Sequence, residues 1–362
     1  MELLPDYLRD MQSRGITPMD HGMGQNEMEP VFATTDEQHS ATHWTVRRTI
    51  DFLETRDTTR PFFCWTSFAK PHPPFDADPK YWQLYDGVDL GEPARGDWSN
   101  TPADVPDAFM HSTYSLSKAH RMSPQQLAAS KRAYYACISQ IDYNLGLLFA
   151  RMREMGQLEN TWIVFTSDHG EMMGDHHMGG KASFFEGSSH VPMLIRPPAK
   201  DWQTASAMQG ATCDKLVCLA DVMPTMLSLA GEEVPGDVQG LDLMQVFTGD
   251  AKRDHLACEC GKLFAIVDGP WKYHYAAEGN VELLFDLSND PRETRNLVTT
   301  GSADRVLAGF RKQMASFLGD RLPEAVDGDT LVGVGPAKTE AGMAGSLWPG
   351  FHSRDVPSDV TH

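Results

Sequence analysis

The sequence predicts an α/β fold in which a mostly parallel sheet is sandwiched by helices, with a small antiparallel sheet and a helix towards the C-terminus. Three observations support this fold class. An amphipathic pattern over 123–155 leads into the continuous β-branched and aromatic run TWIVFTSD at 161–168, which is typical of a buried parallel strand. Further apolar runs alternate with helical patterns up to about residue 250. Beyond it, short strand patterns separated by glycine turns indicate antiparallel hairpins.

The clearest element is the helix predicted over 123–155. Ser123 provides an N-cap, Pro124 suits the first helical position, and Gln126 can complete a capping box. Apolar residues then recur at steps of four and three, and Gly156 ends the pattern. This spacing predicts a long helix with one buried face.

The remaining elements follow from shorter patterns. A helix is predicted over 43–55, where the upstream TTDEQ offers Thr35 and Gln38 as a capping box. The other predicted elements are strands at 60–68, 190–196 and 215–220, helices at 221–231 and about 303–318, and two or three antiparallel strands within 263–287.

Two stretches lack periodicity. Residues 76–122 are rich in Pro, Gly and Asp, and we interpret them as a long loop on the substrate side of the sheet rather than as core. The last forty residues are Gly-rich, and Trp348, His352 and Arg354 there are candidates for shaping a pocket. The chain is therefore divided into a main domain at 1–250, a small α+β subdomain at 251–320 and an irregular tail at 321–362.

Composition limits the possible partners. With 50 acidic and 31 basic residues, the formal charge of −19 argues against nucleic acid as a main partner. No apolar run is long enough to span a bilayer, and no signal peptide is visible at the start. The six cysteines lack the spacing of a zinc site or a disulfide framework. Compartment and oligomeric state stay open.

The stretch IVFTSDHGEMMGDHHMGGKASFFEG, residues 163–187, concentrates ionisable groups at the end of a predicted strand. Ligands of open α/β sheets bind beyond the carboxyl ends of strands, which is where Asp168 and His169 fall. A carboxylate and an imidazole can ligate a divalent cation there. Taken alone, the common tripeptide DHG favours a capping aspartate and a solvated histidine at a strand–helix turn.

A wider resemblance decides between these alternatives. FTSDHGEMMGDHHMGGKASFFEGSSHVPMLIRPP resembles the second signature region of the sulfatase family, within the alkaline-phosphatase-like superfamily. PFFCWTSFAKPHPPF resembles the family's strand and H-x-P loop, and YYACISQIDYNLGLLFARMREMGQLENTWIVFTSDHGE its long helix and metal strand. Later segments resemble the family's C-terminal sheet. The motifs follow one another in the family's order over most of 40–300.

The resemblance implies roles for individual residues. Asp168 and His169 correspond to a pair of metal ligands, for one divalent cation that we expect to be Ca²⁺, with Mg²⁺ or Mn²⁺ as alternatives. Lys181 corresponds to the lysine that contacts the sulfate oxygens, and its compact charge suits a tetrahedral anion. A surface lysine would be the default interpretation outside this motif.

Further residues are implied on the substrate side. His72 in KPHPPF corresponds to the histidine that meets the ester oxygen of the leaving group, where it can donate a proton or hydrogen bond. A purely structural histidine in a proline-rich loop is the alternative. Lys70 is a candidate second sulfate contact or a solvated lysine, and His176, beside Asp175 and His177, is a candidate substrate contact.

The family's nucleophile has no counterpart in this sequence. No cysteine or serine begins C/S-x-P-x-R, the motif whose first residue becomes formylglycine, and the paired acids of the first strand are not found. We therefore expect a chain truncated at its N-terminus and inactive alone, from an enzyme that hydrolyses sulfate esters of small molecules or carbohydrates. Formylglycine is expected in the missing part. The alternatives are a phosphonate or phosphodiester hydrolase of the same superfamily, or a non-catalytic fragment.

Overall fold

A computed structural model describes residues 5–18, 21, 23 and 26–341 of the 362-residue chain. Up to residue 250 the described residues form eight α-helices and two strands, and a separate antiparallel sheet follows, which confirms the predicted α/β class. The helices are α1 (Pro5–Ser13), α2 (Ala41–Thr55), α3 (Pro79–Gln83), α4 (Pro124–Glu154), α5 (Glu186–Ser189), α6 (Trp202–Met208), α7 (Val222–Ala230), α8 (Leu243–Thr248) and α9 (Asp304–Gly319).

Helix α4 begins as its sequence predicts. The Ser123 hydroxyl accepts from the backbone N–H of Gln126 at 3.2 Å, and the Gln126 side chain accepts from the Ser123 N–H at 2.8 Å. Helix α2 begins differently: the capping box predicted at Thr35 and Gln38 is wrong. The hydroxyl of Ser40 caps this helix by accepting from His43 N at 3.2 Å, because Ser40 is the residue directly before its first turn.

The strands after α4 are β1 (Ile163–Thr166) and β2 (Met193–Arg196), shorter than predicted. They pair antiparallel, with Phe165 opposite Leu194, so the prediction of mostly parallel pairing is wrong for the described residues. The parallel pairing seen among those residues is an isolated bridge between Pro30 and Phe75. A continuous apolar run is compatible with either direction, which explains the error.

Two predicted strands are not strands in the structure. Within the described residues, 60–68 forms no ladder with another segment, and its Phe63 and Trp65 side chains are 67% and 71% exposed. At 215–220 the chain instead enters a 3-10 turn, where the Asp221 carboxylate accepts from the backbone N–H of Cys218 at 2.8 Å. Composition favoured strands at both places, but a strand forms only with a partner backbone.

The C-terminal sheet consists of β3 (Leu256–Cys260), β4 (Leu263–Asp268), β5 (Trp271–Ala276) and β6 (Val281–Asp286), paired antiparallel in that order. One face packs on α9, where the Tyr273 and Phe310 rings stack 5.6 Å apart. The opposite face meets the main domain, because Leu283 and Phe285 share a cluster with residues of 98–114.

The interpretation of 76–122 as a loop outside the core is wrong. The segment has short helical turns instead of long helices, but Trp98, Phe109, Met110 and Tyr114 are buried between the main domain and the C-terminal sheet. Its low periodicity hid this role, since single large aromatic residues can fill a core without a repeating pattern.

After α9 the chain forms a small hairpin of β7 (Val326–Asp327) and β8 (Thr330–Leu331) and continues to residue 341. Trp348, His352 and Arg354 lie outside the described residues. Within the described part of the chain, no helix has both the length and the apolarity needed to cross a membrane.

Candidate active site

The segment 168–190 folds into a compact loop. The backbone N–H of Gly170 donates to Ser188 O at 2.7 Å, and that of Met172 donates to Gly180 O at 3.0 Å. Four non-glycine residues of the loop have positive φ, namely Met173, His176, His177 and Ala182. Such backbone conformations persist where surrounding contacts fix them, and they concentrate at functional sites.

This loop brings Lys181 to His72. The Lys181 Nζ atom lies 2.9 Å from His72 Nε2, although the two residues are 109 positions apart. The other ring nitrogen of His72, Nδ1, lies 2.8 Å from the carbonyl oxygen of Pro73. A carbonyl only accepts, so Nδ1 carries the ring proton and Nε2 accepts from the Lys181 ammonium.

The electrostatics agree with this arrangement. Burial and the neighbouring Lys181 ammonium lower the pKa of His72 to about 4, so the ring is neutral near pH 7. Burial also lowers the pKa of Lys181 below its usual value, although the carboxylates of Glu171 and Asp168 oppose this effect. The pair is therefore a partly buried cation that donates to a neutral imidazole.

Lys70 lies on the same loop as His72, but its ammonium is engaged internally. It donates to the carbonyl oxygen of Pro74 at 2.5 Å and forms an ion pair with Asp76. Burial alone would raise the pKa of Asp76, but the Lys70 ammonium holds it below its usual value. The role of Lys70 as a sulfate contact stays a prediction, and it would require this ion pair to rearrange.

Asp168 and His169 follow β1 as predicted. Asp168 Oδ2 and His169 Nε2 lie 3.5 Å apart, and the Asp168 side chain is highly exposed. His169 Nδ1 lies 2.8 Å from Gly170 O, so Nδ1 donates and Nε2 keeps its lone pair. The Asp168 carboxylate oxygen and the His169 Nε2 atom are thus close enough to each other to bind one cation together.

These two residues do not form a complete metal site. Within the described residues, no group of three or more His, Cys, Asp and Glu side chains could hold a metal ion. Ca²⁺ takes about six to eight oxygen ligands. Asp168 and His169 could therefore supply only part of a coordination sphere.

His176 is placed in the core rather than at a surface. Its side chain is 2% exposed, its ring lies 4.5 Å from the Trp98 ring, and Nδ1 lies 2.8 Å from the Ser99 hydroxyl oxygen. Burial lowers the pKa of His176 to about 4. Its role as a substrate contact stays a prediction, and these contacts favour a structural role.

Glu171 has a larger role than the sequence indicated. Its carboxylate accepts from the backbone N–H of Gly180, directly before Lys181, and from Met173 N at 3.5 Å. Burial raises the pKa of the Glu171 carboxyl, although the Gly180 N–H and Lys181 oppose the rise. This side chain therefore supports the segment that carries Lys181.

A second group missed by sequence reasoning ties this loop to the C-terminal sheet. The fully buried Glu293 accepts from the backbone N–H of Glu186 at 2.7 Å and lies 3.2 Å from both Lys272 Nζ and His274 Nε2. Lys272 also binds Glu186 at 2.7 Å. Burial alone would raise the pKa of Glu293, but the Lys272 ammonium and His274 hold it at about 2.

One signal could have pointed to this group. Lys272 and His274 alternate within the aromatic strand WKYHYA and therefore share one face of β5. Ionisable residues on the face of a buried strand require a partner of opposite charge. The sequence did not reveal that the partner would be Glu293, in a turn after β6.

Comparisons with known proteins agree with the fold and identify the family. The profile of the sulfatase family matches residues 15–232, and that described as N-sulphoglucosamine sulphohydrolase, C-terminal, matches 174–319. An arylsulfatase of Clostridium perfringens is 31% identical over 94% of this chain and 71% of its own length. A choline-sulfatase of Rhizobium meliloti is 33% identical over 72% of this chain, which spans 51% of that relative.

A solved structure shows the same fold. The phosphonate monoester hydrolase of Agrobacterium radiobacter has 26% identity and a TM-score of 0.74, over 89% of this chain and 70% of that one. Fold and motifs thus define a hydrolase of the alkaline-phosphatase-like superfamily. The sulfatase profile covers more than half of the chain, and the chain belongs to the sulfatase family, a class of sulfuric ester hydrolases that generally bind a divalent metal.

Proposed function

We propose that this chain provides the sulfate-binding and leaving-group side of an active site that hydrolyses sulfate esters. The observation that carries the proposal is the 2.9 Å contact between Lys181 Nζ and His72 Nε2. Two distant motifs meet there in a partly buried place, next to the loop that presents Asp168 and His169. A localised cation beside a neutral imidazole suits a tetrahedral anion that carries an ester oxygen.

The tautomer of His72 defines a proton path. Nε2 accepts from Lys181 in the structure, so it holds no proton of its own to give to a leaving oxygen. As negative charge develops on that oxygen, Nε2 can give it a proton while it receives one from Lys181, which is left as a neutral amine. The Nδ1–H bond to Pro73 O keeps the ring oriented during this relay. The relay requires Lys181 to be protonated near pH 7 before the ester is cleaved, and in that state its ammonium can also contact the sulfate oxygens.

Asp168 and His169 would hold the divalent cation together with further ligands. When bound, the cation would supply positive charge that polarises the ester group. Asp168 would bring a formal negative charge to it, and the Gly170 carbonyl would orient the His169 ring. We infer Ca²⁺ from the resemblance. We assign no nucleophilic step to this chain, because no cysteine or serine in it begins C/S-x-P-x-R.

A second candidate reaction is hydrolysis of phosphonate or phosphate esters. It is favoured by the likeness to the Agrobacterium radiobacter phosphonate monoester hydrolase, at a TM-score of 0.74. The Lys181–His72 pair would suit either tetrahedral anion. Calorimetry with 4-nitrophenyl sulfate and with the 4-nitrophenyl ester of phenylphosphonate distinguishes the two, and we expect tighter binding of the sulfate.

Binding of 4-nitrophenyl sulfate tests the assignment without requiring turnover. Lys181→Met should weaken binding at least ~10-fold, because it removes a charge-assisted hydrogen bond that contributes about 1.5–3 kcal/mol. Lys200→Met, at an exposed lysine, is the matched control and should bind like the unaltered chain. Equal binding by the Lys181→Met variant would overturn the proposed site.

Turnover is a separate measurement. We expect the 362-residue chain to release no 4-nitrophenol from 4-nitrophenyl sulfate, because its sequence contains no C/S-x-P-x-R motif to supply the family's nucleophile. Robust turnover would show that another group attacks sulfur. It would leave the binding role of Lys181 intact.

A further inference from the structure

Three basic side chains of one short segment converge on a single carboxylate from the far end of the described chain. Glu340 Oε1 lies 2.6 Å from an Arg121 Nη atom and 3.6 Å from Lys118 Nζ, and Glu340 Oε2 lies 3.1 Å from His120 Nε2. The basic residues belong to a 3-10 turn and its left-handed cap at Lys118. The Glu340 carboxylate thus lies between three basic side chains.

The cluster is enclosed at His120 and open to solvent at Arg121, whose side chain is 56% exposed. The His120 side chain is 8% exposed, and its ring packs edge-on against Tyr114. His120 Nδ1 is buried and, within the described residues, has no hydrogen-bond partner. Because the Lys118 and Arg121 cations converge on one point and would repel each other if no anion were present, their arrangement favours a bound anion.

The cluster is next to the backbone that carries Lys181. The Thr113 hydroxyl accepts from Gly179 N at 3.2 Å and donates to Gly179 O at 3.4 Å. Ser117 and Ala119 also flank Gly179, where an added Cβ atom would lie 2.6 and 2.7 Å from their side chains. The segment that presents the basic cluster therefore packs directly against Gly179, two residues before Lys181.

We propose that Lys118, His120 and Arg121 form a second anion site, which Glu340 occupies as an internal ligand and which a sulfate group binds when Glu340 leaves. Three donors on one short segment can hydrogen-bond to different oxygens of one tetrahedral oxyanion. This site is separate from Lys181 and rests on its own contacts. If the proposed function holds, it would select substrates that carry a second anionic group.

The test uses the full chain and inorganic sulfate, titrated by calorimetry. Glu340→Gln removes the competing carboxylate and should lower the dissociation constant of sulfate about tenfold or more. Glu324→Gln makes the same charge change at an exposed position of the 3-10 turn 323–325 and should leave the constant unchanged. Adding Arg121→Gln to Glu340→Gln should return the dissociation constant of sulfate to that of the unaltered chain.

Two outcomes would overturn the proposal. The first is an equal dissociation constant of sulfate for Glu340→Gln and the unaltered chain. The second is tighter sulfate binding by Glu340→Gln that persists when Arg121→Gln is added. Lys181→Met separates the two sites. If the gain persists in its presence, sulfate binds at the basic cluster whether or not the proposed function is correct. If the gain disappears, sulfate binds at Lys181 and the second site is refuted.

A measurement on the unaltered chain avoids any dependence on how variants fold. The ring signals of His120 in an NMR titration should shift as sulfate replaces Glu340. They should follow the same dissociation constant as the calorimetry. Unchanged His120 signals at saturating sulfate would refute the site.

Discussion

The carboxylate of Glu293 accepts a 2.7 Å hydrogen bond from the backbone N–H of Glu186, 107 residues earlier in the chain. The same carboxylate meets Lys272 and His274 in a region closed to solvent. A turn after the C-terminal sheet thus fixes the backbone of α5, five residues beyond Lys181. The support of the candidate site extends beyond the residues that would contact a substrate.

Glu293→Ala should destabilise the protein by about 3–5 kcal/mol, because it leaves the buried Lys272 and His274 without one partner. Urea unfolding measures the change. Glu154→Ala is the control, since Glu154 pairs with Arg151 at an exposed position and should contribute no more than about 1 kcal/mol. A loss below about 1 kcal/mol for Glu293→Ala would show that the network contributes little.

The buried His176 predicts a pH dependence of stability. Its pKa falls from the usual 6.5 to about 4 on folding. Between these values the unfolded chain binds the proton and the folded chain does not, so stability rises with pH across this window. The contribution is fully present above about pH 6.5 and is lost as pH falls towards 4, at up to about 1.4 kcal/mol per pH unit.

The variant His176→Asn should show a smaller slope between pH 4 and 6.5, since asparagine tolerates the left-handed backbone at this position and does not titrate. Thermal unfolding at several pH values measures the slope. His255→Asn, at an exposed histidine, should keep the slope of the unaltered chain. The same slope in both variants would assign the pH dependence to other groups.

Two glycines allow a matched test of packing beside Lys181. Gly179→Ala should cost about 1–3 kcal/mol, because the new Cβ would lie 2.5 Å from Met28 Sδ and 2.6 Å from Ser117 Oγ. Gly146→Ala, in α4 with open space around it, should stabilise by roughly 0.5–1 kcal/mol. Chemical denaturation compares the two variants. A neutral Gly179→Ala would mean that the neighbouring side chains move aside readily.

Calcium binding tests the two proposed ligands. Asp168 and His169 provide two donors, whereas Ca²⁺ needs about six to eight, so we expect the chain to bind Ca²⁺ more weakly than about 1 mM. Asp168→Asn should weaken even that binding, as measured by calorimetry, whereas Asp329→Asn at an exposed acid should not. Micromolar affinity retained by Asp168→Asn would place the cation elsewhere.

The parts of this fold that were predictable depend on local contacts. Helix α4 follows from Ser123, Pro124 and Gln126, whose hydrogen bonds lie within one turn. The strand predicted at 60–68 was wrong because a ladder depends on a neighbouring backbone that no local pattern reveals. The local pattern of residues 76–122 does not indicate burial for the same reason, since the burial of Trp98 depends on Phe185 and on Phe285 of β6.

The same distinction between local motifs and contacts formed only on folding applies to the candidate site. Motifs suggested His72 and Lys181, and the structure brings these two side chains together across 109 positions. Glu293 could not be identified, because its importance depends on strands and turns that meet only after folding. His176 shows the converse, since its place in a polar loop suggested a substrate contact, whereas its ring is buried and lies 4.5 Å from the Trp98 ring.

The hydrogen bond from Trp98 Nε1 to the carbonyl oxygen of Glu293, at 2.7 Å, crosses the boundary predicted at residue 250. The backbone N–H of Asp97, which donates to Thr294 O, and the Arg292 guanidinium, which donates to Glu92 O, form hydrogen bonds across it as well. Main domain and C-terminal sheet should therefore melt in a single calorimetric transition. We expect a recombinant version that stops at residue 250 to expose the aromatic residues that pack against Phe285, and therefore to aggregate. The part of the chain before residue 250 would then not be stable without the C-terminal sheet.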